Sequence, residues 1–300
     1  MAQTAWQSFF QLLISGLASG SIYALIAVGF AIIYKATRVL NFAQGDLMVL
    51  GGYFCFSLMV YLHVPYILAF LIAIGLLVLV GMAIQGSILN RMIGEPIFAV
   101  VMITIGLSSV FQGLFGMIWG HEEQKIPTAA TDIIINLSGV FLTLAHAIVM
   151  GVAAIFFIGF FLFFKYSRMG IAMRCTASDQ DIALLLGMSV KKVFSLSWAI
   201  ACVVACIGGV FFGQINYMVP TMGAVGLRAF PAIVLGGLDS IGGAIIGGLA
   251  VGVLENLTSG YLDVWLGGAG LKEIVPYILL VIVLMIRPYG LFGTEEITRV

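Results

Sequence analysis

Residues 8–34 read SFFQLLISGLASGSIYALIAVGFAIIY, 27 positions in succession without a charged side chain. An α-helix rises about 1.5 Å per residue, so about 20 apolar residues are enough to cross the hydrocarbon of a bilayer. Backbone groups in lipid have no water to bond, which leaves helices and closed barrels as the spanning structures. Barrel strands would alternate polar and apolar residues, and this stretch does not. Residues 8–34 therefore predict a transmembrane helix. No Lys or Arg precedes the run and no convincing small-residue cleavage site follows it, so it reads as a retained first span rather than a removed signal peptide.

The same pattern recurs along the chain. Charge-free runs from Tyr66 to Asn90, Pro96 to Trp119, Gly139 to Phe164 and Val193 to Tyr217 each have spanning length. Three segments are less regular. Asn41 to Leu62 contains Asp46, Ala229 to Glu255 is interrupted by Pro231, Gly236, Gly237 and Asp239, and Leu271 to Ile286 is short. The composition agrees: 62% of residues are hydrophobic and 9% charged, against about 45–50% and about 25% in ordinary globular proteins. That much apolar surface cannot be hidden in a core of this size and needs lipid around it. Thirteen basic residues balance thirteen acidic ones, so no basic field exists for nucleic acid and no acidic tail for a disordered segment. The expected fold is an all-α polytopic membrane protein of about eight or nine transmembrane helices, some discontinuous, forming one domain over residues 1–300.

Orientation follows from Lys and Arg in short loops, which stay cytoplasmic. The loop from Lys165 to Lys192 holds Lys165, Arg168, Arg174, Lys191 and Lys192 against Asp179 and Asp181. It is the strongest cytoplasmic marker, and Lys35, Arg38, Arg91, Arg287 and Arg299 are expected on the same side. The loop from His121 to Asp132, with Glu122, Glu123 and Asp132 against Lys125, fits the outer side. This scheme places the N-terminus outside and the C-terminus inside.

Within the cytoplasmic loop, Ser178-x-x-Asp181 followed by Ile182 to Leu186 matches a capping-box start, and Gly187 suits a left-handed stop. The expectation is a two-turn helix carrying Ile182, Leu185 and Leu186 on one face, either lying on the membrane or docking a cytoplasmic partner. Two broken segments in opposite halves, Gly45-Asp46 and Gly236-Gly237-Leu238-Asp239, are the kind of paired interruption that marks an inverted repeat with a translocation path at its interface. Asp46 and Asp239 have two readings each: a carboxylate that caps a helix start, or a pathway residue at membrane depth. Asn41, Gln44, Gly45, Asp46, Gly236, Gly237 and Asp239 form the candidate path. Pairs of glycines four apart at Gly16/Gly20, Gly209/Gly213, Gly243/Gly247 and Gly248/Gly252 predict close helix contacts. Cys55, Cys175, Cys202 and Cys206 form no CxxC pair, and His63 and His146 stand alone, so no metal or redox centre is expected.

Four stretches together resemble a known family. Arg174-Cys175-Thr176-Ala177-Ser178-Asp179-Gln180-Asp181-Ile182-Ala183-Leu184-Leu185-Leu186-Gly187-Met188 is similar to the cytoplasmic coupling motif of bacterial ABC importer permeases. Ile32 to Asp46 (IIYKATRVLNFAQGD), Phe230 to Gly243 (FPAIVLGGLDSIGG) and Arg287 to Gly293 (RPYGLFG) are similar to the branched-chain amino acid permeases of the LivH type within that class. The chain departs from the coupling motif at Ile182, where a small residue such as Ala is more usual.

The resemblance implies a permease subunit in the bacterial inner membrane. Its partners would be a second homologous permease, two ABC ATPase subunits and a periplasmic binding protein that delivers leucine, isoleucine or valine. It makes Arg174, Asp179, Asp181, Ala183 and Gly187 the ATPase-coupling residues. The chain has no GxxxxGK[ST] phosphate loop, and no Gly is followed directly by Lys, so ATP would be hydrolysed by the partners and no cofactor is expected here. No catalytic triad can be assembled, which disfavours an enzyme. A permease for urea or short amides, and an ATP-independent secondary carrier, stay open as alternatives.

Overall fold

The computed structural model describes residues 5–128, 131, 133–137, 140–178, 180–265 and 270–293. The helices, in chain order, are α1 (Ala5–Thr37), α2 (Gln44–Val60), α3 (Tyr66–Ser87), α4 (Ile97–Trp119), α5 (Leu144–Tyr166), α6 (Arg168–Ser178), α7 (Gln180–Leu185), α8 (Val190–Ile215), α9 (Ala224–Gly236), α10 (Ile241–Leu257), the single turn α11 (Asp263–Trp265) and α12 (Val275–Ile286). Six of the described helices are long and apolar enough to cross a bilayer, and two apolar ones are shorter. Ahead of α5, strands β1 (Ile134–Leu137) and β2 (Val140–Thr143) pair as an antiparallel hairpin, Ile134 opposite Thr143. Gly139, where the expected span begins, lies outside the described residues; Val140 to Thr143 form a strand, and the helix starts at Leu144.

α1 and α8 form the centre of the bundle, while α3, α4 and α5 present apolar faces outward, as lipid requires. The glycine pairs explain how closely the central helices approach. Gly16 and Gly20 of α1 lie against Gly248, Leu249, Gly252 and Val253 of α10, where any side chain would strike backbone. Gly51 and Gly52 of α2 meet Cys206 and Gly209 of α8 in the same way. These contacts fix directions: α10 runs antiparallel to α1, and α2 runs parallel to α8.

One end of the bundle gathers most of the basic residues. There Lys35 Nζ donates to the Asp239 carbonyl at 3.1 Å, and Arg38 Nε donates to the Ala177 carbonyl at 3.1 Å. Tyr34, Arg38, Asp239 and Tyr289 line one depression at this end, which brings the segment after α12 to it as well. By the positive-inside rule this end is cytoplasmic.

α2 and α9 do not cross the bundle. Each begins inside it, after a re-entrant stretch, and each runs outward to a different end. Gln44 at the start of α2 sits beside Ala201, well inside α8, and α2 ends where the Trp119 indole donates to the Ser57 hydroxyl at 2.7 Å. α9 begins beside Gly45 and Asp46 and ends at the cytoplasmic surface, where Leu291 and Phe292 donate to the Leu235 and Gly236 carbonyls at 2.9 and 3.0 Å. Thus α1–α2–α3 and α8–α9–α10 are two copies of one unit, a long helix, a re-entrant broken helix and a second long helix, in opposite orientation. α1 packs along α10 and α3 along α8, as an inverted pair demands.

The second break lies elsewhere than the sequence indicates. Ala229 to Glu255 is not one interrupted span but the end of α9, a turn over residues 237–240 and the full-length α10. Gly237, at φ +101°, ends α9 in a conformation that suits glycine. Ser240, rather than Asp239, caps α10, its hydroxyl accepting from the Gly243 amide at 3.1 Å. Pro231 does not break α9; the Tyr277 hydroxyl of α12 reaches the Leu227 carbonyl at 3.5 Å, which the missing proline N–H leaves unbonded.

Candidate functional site

The starts of α2 and α9 meet inside the bundle. The backbones of Gly45 and Gly226 touch, and Gly223 lies against the Asp46 carboxylate, with room for no side chain at any of the three. Two helix N-termini, each the positive end of a helix dipole, therefore converge on one point. Asp46, fully buried in the first turn of α2, supplies the opposing charge. Its Oδ1 accepts from Gln112 Nε2 of α4 at 3.3 Å, and the Ser108 hydroxyl is a second hydrogen-bond partner.

The re-entrant stretch before α2 has no helix of its own, so side chains satisfy its backbone. Asn41 Oδ1 accepts from the Ala43 amide at 3.1 Å, and Thr104 Oγ1 of α4 accepts from the Phe42 amide at 3.2 Å. Gln44 Nε2 donates to the Ala201 carbonyl at 3.3 Å, and the Phe42 ring stacks on Phe230 of α9 with centroids 6.1 Å apart. Two buried polar atoms are left without a protein partner here, Asn41 Nδ2 and Gln44 Oε1. Leaving such an atom unbonded costs about 1–3 kcal/mol, a cost seldom accepted where nothing polar ever passes.

Asn41, Gln44, Gly45 and Asp46 are thus together. Gly236, Gly237 and Asp239 are not with them; they lie at the cytoplasmic surface beside the segment after α12 and Lys35. The residues that meet Gly45 and Asp46 are Gly223 and Gly226, which the sequence reading did not single out. The spacing Pro220-x-x-Gly223-x-x-Gly226 was the signal available for them.

A second polar group lies toward the outer end. Glu255 of α10 is buried, with Tyr23 of α1 as hydrogen-bond partner, and Arg228 of α9 pairs with Glu273 at 2.9 Å. An Arg in α9 and a Glu in the apolar α10 run were the sequence signals for this group.

At the cytoplasmic end, Arg174 of α6 donates to the Phe164 carbonyl, tying the loop to the end of α5. Ser178 closes α6 with its hydroxyl turned back to the Arg174 carbonyl at 3.1 Å, rather than opening the next helix. Asp179 lies outside the described residues; Asp181 is the second residue of α7. Ala183 is buried, whereas Ile182, Leu184, Leu185 and Leu186 are exposed, Leu185 at 87%. Gly187, at φ +78°, ends α7 in a Schellman turn: Met188 N donates to the Ala183 carbonyl at 3.0 Å and Gly187 N to the Leu184 carbonyl at 2.9 Å.

Inverted half-helices meeting inside a bundle of apolar helices define a membrane transport permease rather than an enzyme. The chain belongs to the family described as branched-chain amino acid transport system permease component, which matches residues 12–284. It is 32% identical to the high-affinity branched-chain amino acid transport system permease protein LivH of Salmonella typhimurium, over 97% of this chain and 98% of that one. It is 30% identical to the corresponding protein BraD of Pseudomonas aeruginosa, with the same coverage. Among solved structures, PsaBC from Streptococcus pneumoniae superposes with a TM-score of 0.52 at 15% identity, covering 92% of this chain and 91% of that one, a likeness of fold.

Proposed function

We propose that this chain is the permease subunit of an ATP-driven importer of branched-chain amino acids in the bacterial inner membrane. A second related permease completes the channel, a periplasmic binding protein delivers leucine, isoleucine or valine, and two separate ATPase subunits supply the energy. The observation that carries this reading is the similarity, from end to end, to permeases of branched-chain amino acid systems. The coupling loop, residues 165–192, meets the ATPases through the exposed Ile182 and Leu184 to Leu186, with Arg174, Ala183 and Gly187 fixing its shape and Asp179 and Asp181 supplying charge. The path passes the junction formed by Asn41, Gln44, Gly45 and Asp46 with Gly223 and Gly226, and leaves past Gly236, Gly237 and Asp239. ATP is bound and hydrolysed by the partners, and this chain holds no cofactor.

The test is uptake of labelled leucine into proteoliposomes holding this chain with its partner permease, ATPases and binding protein, with urea as competing substrate. Uptake of leucine that needs both ATP and the binding protein is expected. Uptake of urea in its place would replace the substrate, and leucine uptake persisting without ATP would turn the importer into a carrier.

A further inference from the structure

A cavity of about 230 Å³ opens toward the outer side of the bundle between α1, α9 and α10. It has a closed floor and an open mouth: Tyr23 and Glu255 at the floor are buried, whereas Asn216, just after α8, and Lys272, ahead of α12, are exposed. Glu255 is the one charged residue of α10 and is 7% exposed. A carboxylate so placed in a spanning helix is rarely incidental. Tyr23 is a hydrogen-bond partner of this carboxylate, yet Glu255 Oε1 is buried and accepts from no protein group. A buried carboxylate oxygen calls for a donor, and the described residues supply none. Ile22, Phe212 and Val225 add an apolar wall. Val225 directly precedes Gly226, whose backbone touches that of Gly45, so the cavity adjoins the junction of the two half-helices.

We propose that this cavity receives an aliphatic α-amino acid on its way to the junction and binds its ammonium group at Glu255. An ammonium group brings three donors and the charge opposite to the carboxylate. Lys272 gives the mouth positive charge toward the carboxylate of the same molecule, while Arg228 is already paired with Glu273 at 2.9 Å. The aliphatic side chain has Ile22, Phe212 and Val225 to lie against. Other occupants fit less well. A lipid tail would leave Glu255 Oε1 without a donor. An inorganic anion would meet a carboxylate at the floor. A metal ion needs several ligands, and no group of three or more His, Cys, Asp or Glu side chains is placed to hold one among the described residues. The proposal rests on the cargo reading given above and adds to it the residue of this chain that recognises the amino group.

The experiment is equilibrium binding of labelled leucine to the purified transporter complex with the binding protein left out, alongside the uptake assay. The competitors are 3-methylbutylamine, which is leucine without its carboxylate, and 4-methylpentanoate, which is leucine without its amino group. Saturable leucine binding is expected, displaced by the amine and not by the acid at tenfold higher concentration. Glu255→Gln, which keeps an acceptor for Tyr23 and removes the charge, should weaken binding at least tenfold. Asn216→Trp, at the exposed mouth, should weaken it severalfold with the bonds of Glu255 untouched, and co-elution of the subunits confirms assembly of each variant. The comparison of competitors needs no variant, so it decides the matter even where Glu255→Gln fails to assemble. Leucine uptake by a complex that binds no leucine without the binding protein, or displacement by both analogues alike, would overturn the proposal and leave the cargo reading standing. Wild-type binding in both variants would overturn it as well. In a complex that imports urea and not leucine, binding of labelled 3-methylbutylamine that is lost in Glu255→Gln would support the site while the cargo reading falls; no amine binding would overturn both.

Discussion

Asp46 faces two helix starts at once, and that arrangement separates its two roles. As a residue in the first turn of α2 it complements one dipole, an effect worth about 0.3–1 kcal/mol at an exposed site and up to about 2 kcal/mol when partly buried. Because the start of α9 abuts the same carboxylate through Gly223, its charge also bears on how the two half-helices separate. Asp46→Asn keeps the size of the side chain and an oxygen for Gln112, and removes the charge. Expression and assembly are expected to persist while leucine uptake falls about tenfold; wild-type uptake would leave Asp46 only its part in starting α2.

Among the elements, α7 shows how six residues can be shaped for contact. The exposed leucines follow one another, and a helix this short gains little from its own hydrogen bonds, so its end is fixed by the Schellman turn at Gly187. A side chain there would sit in the left-handed region at a cost of about 1–2 kcal/mol. Gly187→Leu is therefore expected to leave the spans assembled and to lower uptake per ATP hydrolysed severalfold, read by measuring ATPase rate and uptake in the same vesicles. Unchanged coupling would remove α7 from the transmission path. The Gly187 stop was legible because its chemistry is local. The start of α7 was not, because Ser178, which looks like a cap in sequence, is held by the helix before it.

On the scale of the whole molecule, the long spans are legible because length and hydropathy are all that lipid demands of them. The inverted repeat is only half legible. Asp46 stands out as a charged residue in an apolar run, but the counterparts of Gly45 and Asp46, Gly223 and Gly226, follow Met218, Val219, Pro220 and Met222, apolar residues that hide a break in the helix. The polar residues around Gly237 to Ser240 mark a surface turn instead. Orientation has a direct test in the native chain, since Cys175 is exposed at the cytoplasmic end and Cys55, Cys202 and Cys206 are buried. A membrane-impermeant maleimide should label inside-out vesicles and not right-side-out ones; the reverse pattern would invert the orientation.

The central claim is that transport turns on the contact between the starts of α2 and α9. Gly226→Ala puts a methyl group against the backbone of Gly45, whereas Gly75→Ala in α3 adds the same methyl where nothing lies within 4 Å. The most direct measurement compares ATP-driven leucine uptake by these two variants at matched amounts of assembled complex. Loss of at least tenfold in Gly226→Ala, with Gly75→Ala close to wild type, is the predicted result. Gly226→Ala transporting as well as Gly75→Ala would contradict the account.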